Sequence, residues 1–476
     1  MGKTIGIDFG TTTSSAAYHD GVSVRLFETP DGSRIMPSAV SFKDGKAFVG
    51  QAAINELPEN PQYTFVNIKR HLGEAWNENE FQGFQTVESP YGTVSFVGPD
   101  KNYTPEDLTA LILAELKKMA EAELGPVTGA VITVPADCSE AQIRATIDAG
   151  MRAGFETVEP LIEPMAAALA YGIDKKDFAR VAVYDFGGGT FDIAVMRMRD
   201  GSFDELEPLS IGDLGGADFD RRIANYVTDL FLQEYGDKFD GKIHEAQLLN
   251  VEFQSERAKK ILSTNPDAKI RATFVARSED GLPLHIDHTL TLSEFQGLVV
   301  DLIDRTIETC ARCLELRGRS RDEIDEVLLV GGMTRVPAVQ AAVEAFFGQK
   351  PVQRNPDTIV AEGAAIKAAQ IDGRIDVSHQ TTAHASYGIQ NPDGTVRRLI
   401  PKGSPFGTVK KVKLTTQYDN QPFIRVVIVR GDNDEATDNE LIFDDIIDVK
   451  KAKAGKPTIP MTLTLTDAGI LEREWD

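Results

Sequence analysis

The chain has 476 residues, of which 42% are hydrophobic and 26% charged, and its formal net charge is −23. This length is too great for one core and predicts roughly three structural units. The excess of acidic groups argues against a nucleic-acid-binding surface, which needs a basic stripe. No apolar run in the sequence reaches membrane-spanning length. We therefore expect neither a nucleic-acid partner nor a membrane partner.

Three cysteines are too few for a disulfide framework. Cys310 and Cys313 form a C-x-x-C pattern inside a helix-like run. We expect packing there rather than a redox or metal role, because no second Cys or His pair accompanies them. The first strand pattern begins at the N-terminus and leaves no room for a signal peptide. These features predict a reducing, cytoplasmic location, and we expect a monomer.

Strand and helix patterns alternate along residues 1–373, which predicts two α/β units. The first unit, 1–178, contains the buried strand "AVITVP", a helix that ends at Gly154, and the helix "EPMAAALAYGID". The second unit, 179–373, opens with "VAVYDFGGGTFDIAVMRM" and closes with the helix "TIVAEGAAIKAAQ". Glycine after the last apolar position of a helical run supports these helix ends.

The composition changes after residue 373. Residues 374–385 are polar and unpatterned, so we expect a linker there. Residues 386–476 carry the segments "VKKVKLTTQ", "FIRVVIVRG" and "PMTLTLTDAGILE", in which apolar and polar side chains alternate. Such alternation predicts antiparallel strands with one solvated face. The third unit is therefore expected to be a small all-β domain.

A similar motif follows the first strand of each α/β unit, "IDFGTTT" in the first and "YDFGGGT" in the second. Asp8 and Asp185 end their strands, where a carboxylate can hold a hydrated Mg²⁺. Glycines leave backbone N–H groups unobstructed, so successive N–H groups can form an anion-binding nest. The residues of this predicted phosphate clamp are Gly10, Thr11, Thr12, Thr13, Gly187, Gly188, Gly189 and Thr190. One copy alone is equally well explained by a tight hairpin, but two copies predict a polyphosphate held in a cleft between the units.

A third glycine turn, "LLVGGMTRVP", follows a buried strand and precedes a helix. Gly331 and Gly332 would permit close approach of the backbone to a flat ring, and Arg335 could stack on a base. In the helical run "VEFQSERAKKILS", the spacing i, i+3, i+4 and i+7 places a set of polar positions on one face. These positions are Glu256, Lys259 or Lys260, and Ser263. A solvated salt-bridge face is the alternative interpretation of that helix.

At these residues the sequence resembles the DnaK-type chaperones, the seventy-kilodalton heat-shock proteins. The motifs that carry the resemblance occur in the family's order and include "GIDFGTTTSS", "NIKRHLG", "EPMAAALAYGID", "YDFGGGTFDIAV", "LGGADFD", "SERAKKILS" and "LVGGMTRVPAVQ". The resemblance is strong from Thr4 to Gln370 and weaker from "ASYGI" to "TDAGILE". It implies an α/β fold: a two-lobed, actin-like (ribonuclease H-like) ATPase domain, followed by a small all-β sandwich that binds peptides.

The resemblance also implies roles for individual residues. Asp8, Glu163, Asp185 and Asp192 would surround the metal and the attacking water, with Asp8 and Asp185 holding the metal mostly through water. Lys69 would orient that water and neutralise developing charge on the γ-phosphoryl group, as phosphoryl transfer requires. The cofactors implied are ATP or ADP and Mg²⁺, with K⁺ as a further candidate ion. The residues implied to hold adenosine are Glu256, Lys259, Lys260, Ser263, Gly331, Gly332, Arg335 and Asp357. Gly215, Gly216 and Met333 are further residues expected to bind the cofactor.

Several departures from the family pattern fall on surfaces that couple its domains. The linker lacks the family's leucine-rich run, and Glu159 stands where the family usually has a basic residue that J-domain cochaperones contact. After "VITVPA" the family shows aromatics and a Gln-Arg pair, but here Ile143 follows Gln142. Pro392 and Gln417 lie near the position of the peptide-covering arch, while Phe423 and Ile424 could still line a pocket. The family's helical lid is absent, either natively or because the chain is truncated.

The leading hypothesis is a weakly coupled, DnaK-like ATPase that binds unfolded or extended polypeptide segments, or one dedicated client, under nucleotide control. A J-domain cochaperone and a nucleotide-exchange factor are candidate partners that the departures put in doubt. The alternative is a nucleotide-gated scaffold whose β-domain docks a dedicated partner protein. A sugar kinase is disfavoured, because the sequence shows no convincing candidate for the carboxylate base and sugar-binding insertion that such a kinase needs. An actin-like filament protein is disfavoured, because it would leave the β-domain unexplained.

Overall fold

The computed structural model describes residues 2–77, 84–90, 92–172, 179–199, 202–236, 239, 243, 245–316, 318–375, 383, 385–466 and 469–475. Its internal contacts divide the chain into two compact units. The first unit comprises residues 1–201 and 207–377, and the second comprises 202–206 and 378–476. Most of the predicted linker, 376–382 and 384, lies outside the described residues, as does the predicted boundary at residue 178.

The first lobe of the larger unit is built on a six-stranded mixed sheet with the order β12-β11-β1-β2-β3, and β4 pairs with β2. The strands of this lobe are β1 (Lys3–Phe9), β2 (Thr13–His19), β3 (Val24–Leu26), β4 (Met36–Pro37), β5 (Val40–Lys43), β6 (Lys46–Val49), β7 (Thr64–Phe65), β8 (Thr86–Glu88), β9 (Val94–Val97), β10 (Asn102–Tyr103), β11 (Val127–Val134) and β12 (Thr157–Ile162). Strands β5 to β7 and β8 to β10 form two small separate sheets.

The helices of the first lobe are α1 (Gln51–Glu56), α2 (Pro105–Leu124), α3 (Glu140–Arg152) and α4 (Glu163–Gly172). Local sequence explains where the long ones begin. The Thr104 hydroxyl accepts a hydrogen bond from the Asp107 N–H (3.2 Å), and Ser139 caps α3 in the same way at Gln142 (3.2 Å). Buried apolar side chains of α2 and α3 belong to the same core as Ile5 of β1, which is fully buried.

The second lobe repeats the design around a five-stranded sheet with the order β15-β14-β13-β18-β19. Its strands are β13 (Ala179–Phe186), β14 (Phe191–Arg199), β15 (Ser202–Ile211), β16 (Asp267–Arg277), β17 (Pro283–Thr291), β18 (Glu326–Val330) and β19 (Val352–Gln353). In each lobe the strand that carries the aspartate pairs antiparallel with the next strand and parallel with a later one: β1 with β2 and β11, β13 with β14 and β18. The doubled sequence motif therefore occupies equivalent positions in two similar sheets.

The helices of the second lobe are α5 (Gly216–Tyr235), α6 (Glu245–Leu262), α7 (Leu292–Glu315), α8 (Pro337–Phe347) and α9 (Ile359–Ile371). Aromatic side chains fill its core, with Phe186, Phe191 and Phe219 fully buried in edge-to-face contacts. Helix α9 returns to the first lobe and packs against α4 and β1. A Cβ atom on Gly363 would lie only 2.8 Å from the Ala166 Cα, so α9 and α4 approach more closely than a side chain would allow.

The smaller unit contains two antiparallel sheets that enclose one apolar core. One sheet has the order β21-β20-β23-β24 and the other β22-β25-β26. The strands are β20 (Tyr387–Gln390), β21 (Val396–Ile400), β22 (Val409–Thr415), β23 (Phe423–Arg430), β24 (Glu440–Asp448), β25 (Thr458–Leu465) and β26 (Leu471–Trp475). Arg473 of β26 reaches across to β24, where its Nη2 donates to Asp445 Oδ1 (2.8 Å). This is a β-sandwich.

The structure also bears on the cysteines and on membrane-spanning helices. Cys310 and Cys313 lie on the buried face of α7, Cys138 is also buried, and none of the three is in a disulfide bond. Among the described residues, no helix combines the length and the apolar character needed to cross a membrane.

Candidate functional site

The two glycine–threonine turns meet in a cleft between the lobes. A Cβ atom on Gly188 would lie 2.5 Å from Thr12 Cγ2, and one on Gly189 would lie 2.8 Å from Thr11 Cβ. Any larger residue at either glycine would therefore collide with the opposite turn. Both turns line one cavity of about 550 Å³, large enough for a small-molecule ligand.

Backbone hydrogen bonds fix the turn of the second lobe. The Gly187 N–H donates to the Thr190 carbonyl oxygen (3.1 Å), which closes the turn between β13 and β14. The Gly187 and Gly188 carbonyl oxygens accept from the N–H groups of Gly216 (3.0 Å) and Ala217 (2.9 Å), at the start of α5. With these carbonyls held by the helix, the turn is a preorganised loop that can present N–H groups to an anion.

Four carboxylates surround one lysine at the base of the cavity. Lys69 donates to Glu163, and both side chains are largely buried. Burial lowers the pKa of Lys69, but attraction to Glu163 and the hydrogen bond to it outweigh burial and raise that pKa. Burial and the charge of Glu163 raise the pKa of Asp8 and of Asp192 to about 7 each. Burial and the same carboxylate raise the pKa of Asp185 well above its usual value.

Four carboxylates around one lysine give the cluster more negative charge than Lys69 balances, which suits a cation. Asp192 Oδ2 is buried without a hydrogen-bond partner among the described residues. Within the same residues no group of three or more His, Cys, Asp or Glu side chains is arranged to hold a metal ion directly. A Mg²⁺ ion at Asp8 and Asp185 would therefore keep most of its waters, which is its usual preference. The residues present fit such an ion.

The third glycine turn forms another wall of the cavity. Gly331 has φ of 82°, a left-handed conformation that favours glycine, and a Cβ atom there would lie 2.8 Å from Asp185 Oδ1. Arg335 is half exposed and its Nε donates to Asp357 Oδ2 (3.0 Å). This pair holds the guanidinium at the cavity edge, where a planar base could stack on it.

Helix α6 forms the opposite wall. Lys259 is buried, and its Nζ donates to the Gly216 carbonyl oxygen (2.8 Å) and to Asp220 Oδ2 (2.8 Å). Burial raises the pKa of Asp220 to about 7, although the attraction of Lys259 opposes the rise. Lys260, which is mostly exposed, pairs with Glu256 at 2.7 Å. The alternatives left open for this helix therefore coexist, because its polar face both forms ion pairs and lines the cavity.

Nearly all the residues singled out from the sequence line this cavity, and two do not. Asp192 lies on β14 directly opposite Asp185 in the register, and its Oδ1 accepts from the Ala136 N–H (3.4 Å). Gly215 packs on the Gly188 backbone: a Cβ atom on Gly215 would lie 2.5 Å from the Gly188 carbonyl carbon. The residues brought together are Asp8, Gly10, Thr11, Thr12, Thr13, Lys69, Glu163, Asp185, Gly187, Gly188, Gly189, Thr190, Gly216, Glu256, Lys259, Lys260, Ser263, Gly331, Gly332, Met333, Arg335 and Asp357.

Sequence reasoning missed several residues of the cavity wall. Ile35, Gln340 and Gln353 line it, although none belongs to a glycine turn. Each glutamine donates a hydrogen bond to the Thr334 carbonyl oxygen, Gln340 Nε2 at 2.8 Å and Gln353 Nε2 at 3.4 Å. Gln340 is the last residue of the motif "LVGGMTRVPAVQ", so its helical spacing from Val336 was a usable signal.

Two similar sheets that bring glycine turns and carboxylates to one cleft define a two-lobed, actin-like ATPase domain, here with a β-sandwich. The model of the Hsp70 family, described as "Hsp70 protein", matches residues 4–474. The chain therefore belongs to the Hsp70 family, which confirms both the resemblance and the fold class predicted from the sequence. Members of this family are ATPases that typically use ATP or ADP with Mg²⁺, and membership supports an ATP-binding chaperone function.

Proposed function

We propose that this protein binds and slowly hydrolyses ATP in the cleft, and that the bound nucleotide controls the binding of extended or unfolded polypeptide segments. One observation carries the nucleotide part: the two glycine turns, Lys69 and three carboxylates of its cluster line the same cavity. Membership of the Hsp70 family supports the polypeptide part. Unfolded clients and cochaperones are the partners that this membership suggests.

The chain's own residues position the triphosphate and the water. The N–H groups and hydroxyls of the two turns bind phosphate oxygens, and Lys69 neutralises charge that develops on the transferred phosphoryl group. Glu163 holds the Lys69 ammonium in place and orients it toward the cavity. Asp8 and Asp185 would hold Mg²⁺ mostly through water, and the ion would supply charge neutralisation on the phosphates. Hydrolysis needs no covalent nucleophile from the chain.

The β-sandwich supplies the surface for polypeptide segments. Tyr418, in the loop 416–422, is 58% exposed, and Phe423, which follows that loop, is 44% exposed, whereas Ile424 is buried in the core. Strand β24 lies at the edge of its sheet and exposes Leu441 and Ile446. An extended segment can bind such a surface through main-chain hydrogen bonds and apolar contacts.

Single-turnover ATP hydrolysis tests the nucleotide part. Lys69→Ala and Thr190→Ala should each lower the rate by about 10²-fold or more, because each removes a group aimed at the transferred phosphoryl. The matched controls are Lys118→Ala, an exposed lysine of α2, and Thr309→Ala, a partly exposed threonine of α7. Hydrolysis unaltered in both test variants would show that the clamp is assigned wrongly.

A peptide array tests the polypeptide part and separates it from the scaffold alternative. Broad binding of hydrophobic heptamers, weaker with ATP than with ADP, is the expected result. Silence on the array, together with one partner that co-purifies in stoichiometric amount, would support a scaffold with a dedicated partner and would contradict the chaperone proposal.

A further inference from the structure

Arg70 connects the two lobes at the phosphate clamp. It lies in the 3-10 turn Ile68–His71 of the first lobe, directly after Lys69. Its Nη2 donates to the Gly189 carbonyl oxygen (2.7 Å) and to Asp218 Oδ2 (2.8 Å), both in the second lobe. The Arg70 side chain is only 19% exposed and that of Asp218 17% exposed, so the pair is shielded from water. Of these two consecutive residues, Lys69 therefore donates to Glu163 of the first lobe, whereas Arg70 donates to the second lobe.

The donor to the Gly189 carbonyl oxygen comes from a different lobe than the donors to the carbonyl oxygens of Gly187 and Gly188. The carbonyl oxygens of Gly187 and Gly188 are held by N–H groups of α5, within the second lobe itself. The Gly189 carbonyl oxygen is instead held from the first lobe. Because a trans peptide unit is planar, its C=O and N–H point in opposite directions. The position of Arg70 therefore sets the direction of the Thr190 N–H, and Thr190 lines the cavity.

Asp218 makes this contact directional. Its Oδ2 accepts from the Gly215 N–H (2.8 Å) as well as from Arg70, so the carboxylate is fixed at the start of α5. A guanidinium can donate to two acceptors at once from a planar group, which a compact ammonium does less well. Arg70 is thus held at the angle that reaches Gly189.

We infer that Arg70 is a positioning residue that aligns the Thr190 N–H for a nucleotide phosphate only when the two lobes are closed. The inference rests on the proposed nucleotide site and adds that phosphate binding at this site is coupled to lobe closure. A phosphate that uses this N–H stabilises lobe closure, and lobe closure in turn completes the phosphate site. Adenosine, which has no phosphate, gains nothing from the contact.

Calorimetric titration of the full chain with Mg²⁺–ADP and, separately, with adenosine tests the inference. In Arg70→Ala the dissociation constant for ADP should rise about tenfold or more, as expected for a lost hydrogen bond to a charged group, while that for adenosine should change less than about twofold. Arg70→Lys should recover part of the ADP affinity. The matched control is Arg222→Ala, which removes an exposed ion pair with Asp301 (2.7 Å) on the same lobe as Asp218 and should change neither constant.

Two results would overturn the inference. Unchanged ADP affinity in Arg70→Ala would show that the Gly189 carbonyl needs no support from the first lobe. An equal loss for adenosine and ADP would show general damage to the cleft rather than positioning of a phosphate contact. Failure of the wild-type chain to bind ADP would instead refute the proposed nucleotide site itself.

Discussion

The buried ion pair between Lys259 and Asp220 gives a stability prediction that follows directly from the structure. Both residues are less than 8% exposed, and the Nζ–Oδ2 distance is 2.8 Å. Replacing Lys259 with methionine keeps the apolar stem but leaves the Asp220 carboxylate buried without its counter-charge. Breaking a buried pair in this way typically costs about 3–5 kcal/mol. We expect the free energy of unfolding of Lys259→Met to fall by that amount at pH 8.

The cost should depend on pH, and its sign follows from the pKa of Asp220. Burial raises this pKa to about 7 from an ordinary value of 3.8, so the folded protein binds the proton more readily than the unfolded chain. A raised carboxylate pKa means that stability falls as pH rises from about 4 to 7. Without Lys259 the pKa of Asp220 should rise further, because that lysine lowers it. Lys259→Met should therefore continue to lose stability above pH 7.

Urea denaturation at pH 6 and pH 8 measures the effect. The double variant Lys259→Met, Asp220→Asn removes the buried charge, and it should recover most of the lost free energy at pH 8 and show a smaller dependence on pH. Arg222→Met, which breaks an exposed pair, should cost less than about 1 kcal/mol at both values. If Lys259→Met is equally stable at both pH values and the double variant recovers nothing, the argument from a buried unpaired carboxylate is refuted.

Other parts of the molecule give further predictions. Gly363→Val should lower the free energy of unfolding by about 1–3 kcal/mol, measured by urea denaturation, because any side chain there overlaps Ala166 of α4. Gly297→Val serves as the control, because a side chain at Gly297 would have open space. Gly348→Val is unsuitable as a control, because the positive φ of Gly348 would add backbone strain. Arg473→Ala should destabilise the β-sandwich by about 1–3 kcal/mol, seen in the thermal transition of that unit, because it removes a double contact with Asp445. Chelation of Mg²⁺ with EDTA should abolish ATP hydrolysis and leave the far-ultraviolet circular dichroism unchanged; persisting hydrolysis would contradict the assigned metal role.

Local patterns in the sequence were sufficient to predict the strands that precede the glycine turns, the turns themselves and most of the residues that line the cavity. Each glycine turn follows a buried apolar strand, so its place at a sheet edge can be read within about ten residues. Arg70 could not be recognised in this way, because its two partners are 119 and 148 residues away in the chain. Asp220 was missed for another reason. A lone aspartate on a helix is usually exposed, and only the packing of α5 against α6 buries it beside Lys259.

The departures from the family pattern acquire a physical meaning in the structure at Glu159. This residue stands where the resemblance implies a basic side chain for J-domain contact, and its Oε1 lies 3.0 Å from Nζ of Lys367 on α9. Both side chains are about one fifth exposed, so the acidic residue is neutralised by a neighbour of the same domain rather than left open to a partner. A J-domain that needs a cation on β12 meets an internal ion pair instead.

We therefore expect a J-domain protein to raise the single-turnover ATPase rate less than about twofold. The exchanged pair Glu159→Lys, Lys367→Glu would keep the internal attraction while placing a cation on β12, so stimulation should increase in that variant. Strong stimulation of the wild-type chain, with none gained on exchange, would show that the charge on β12 does not decide cochaperone contact.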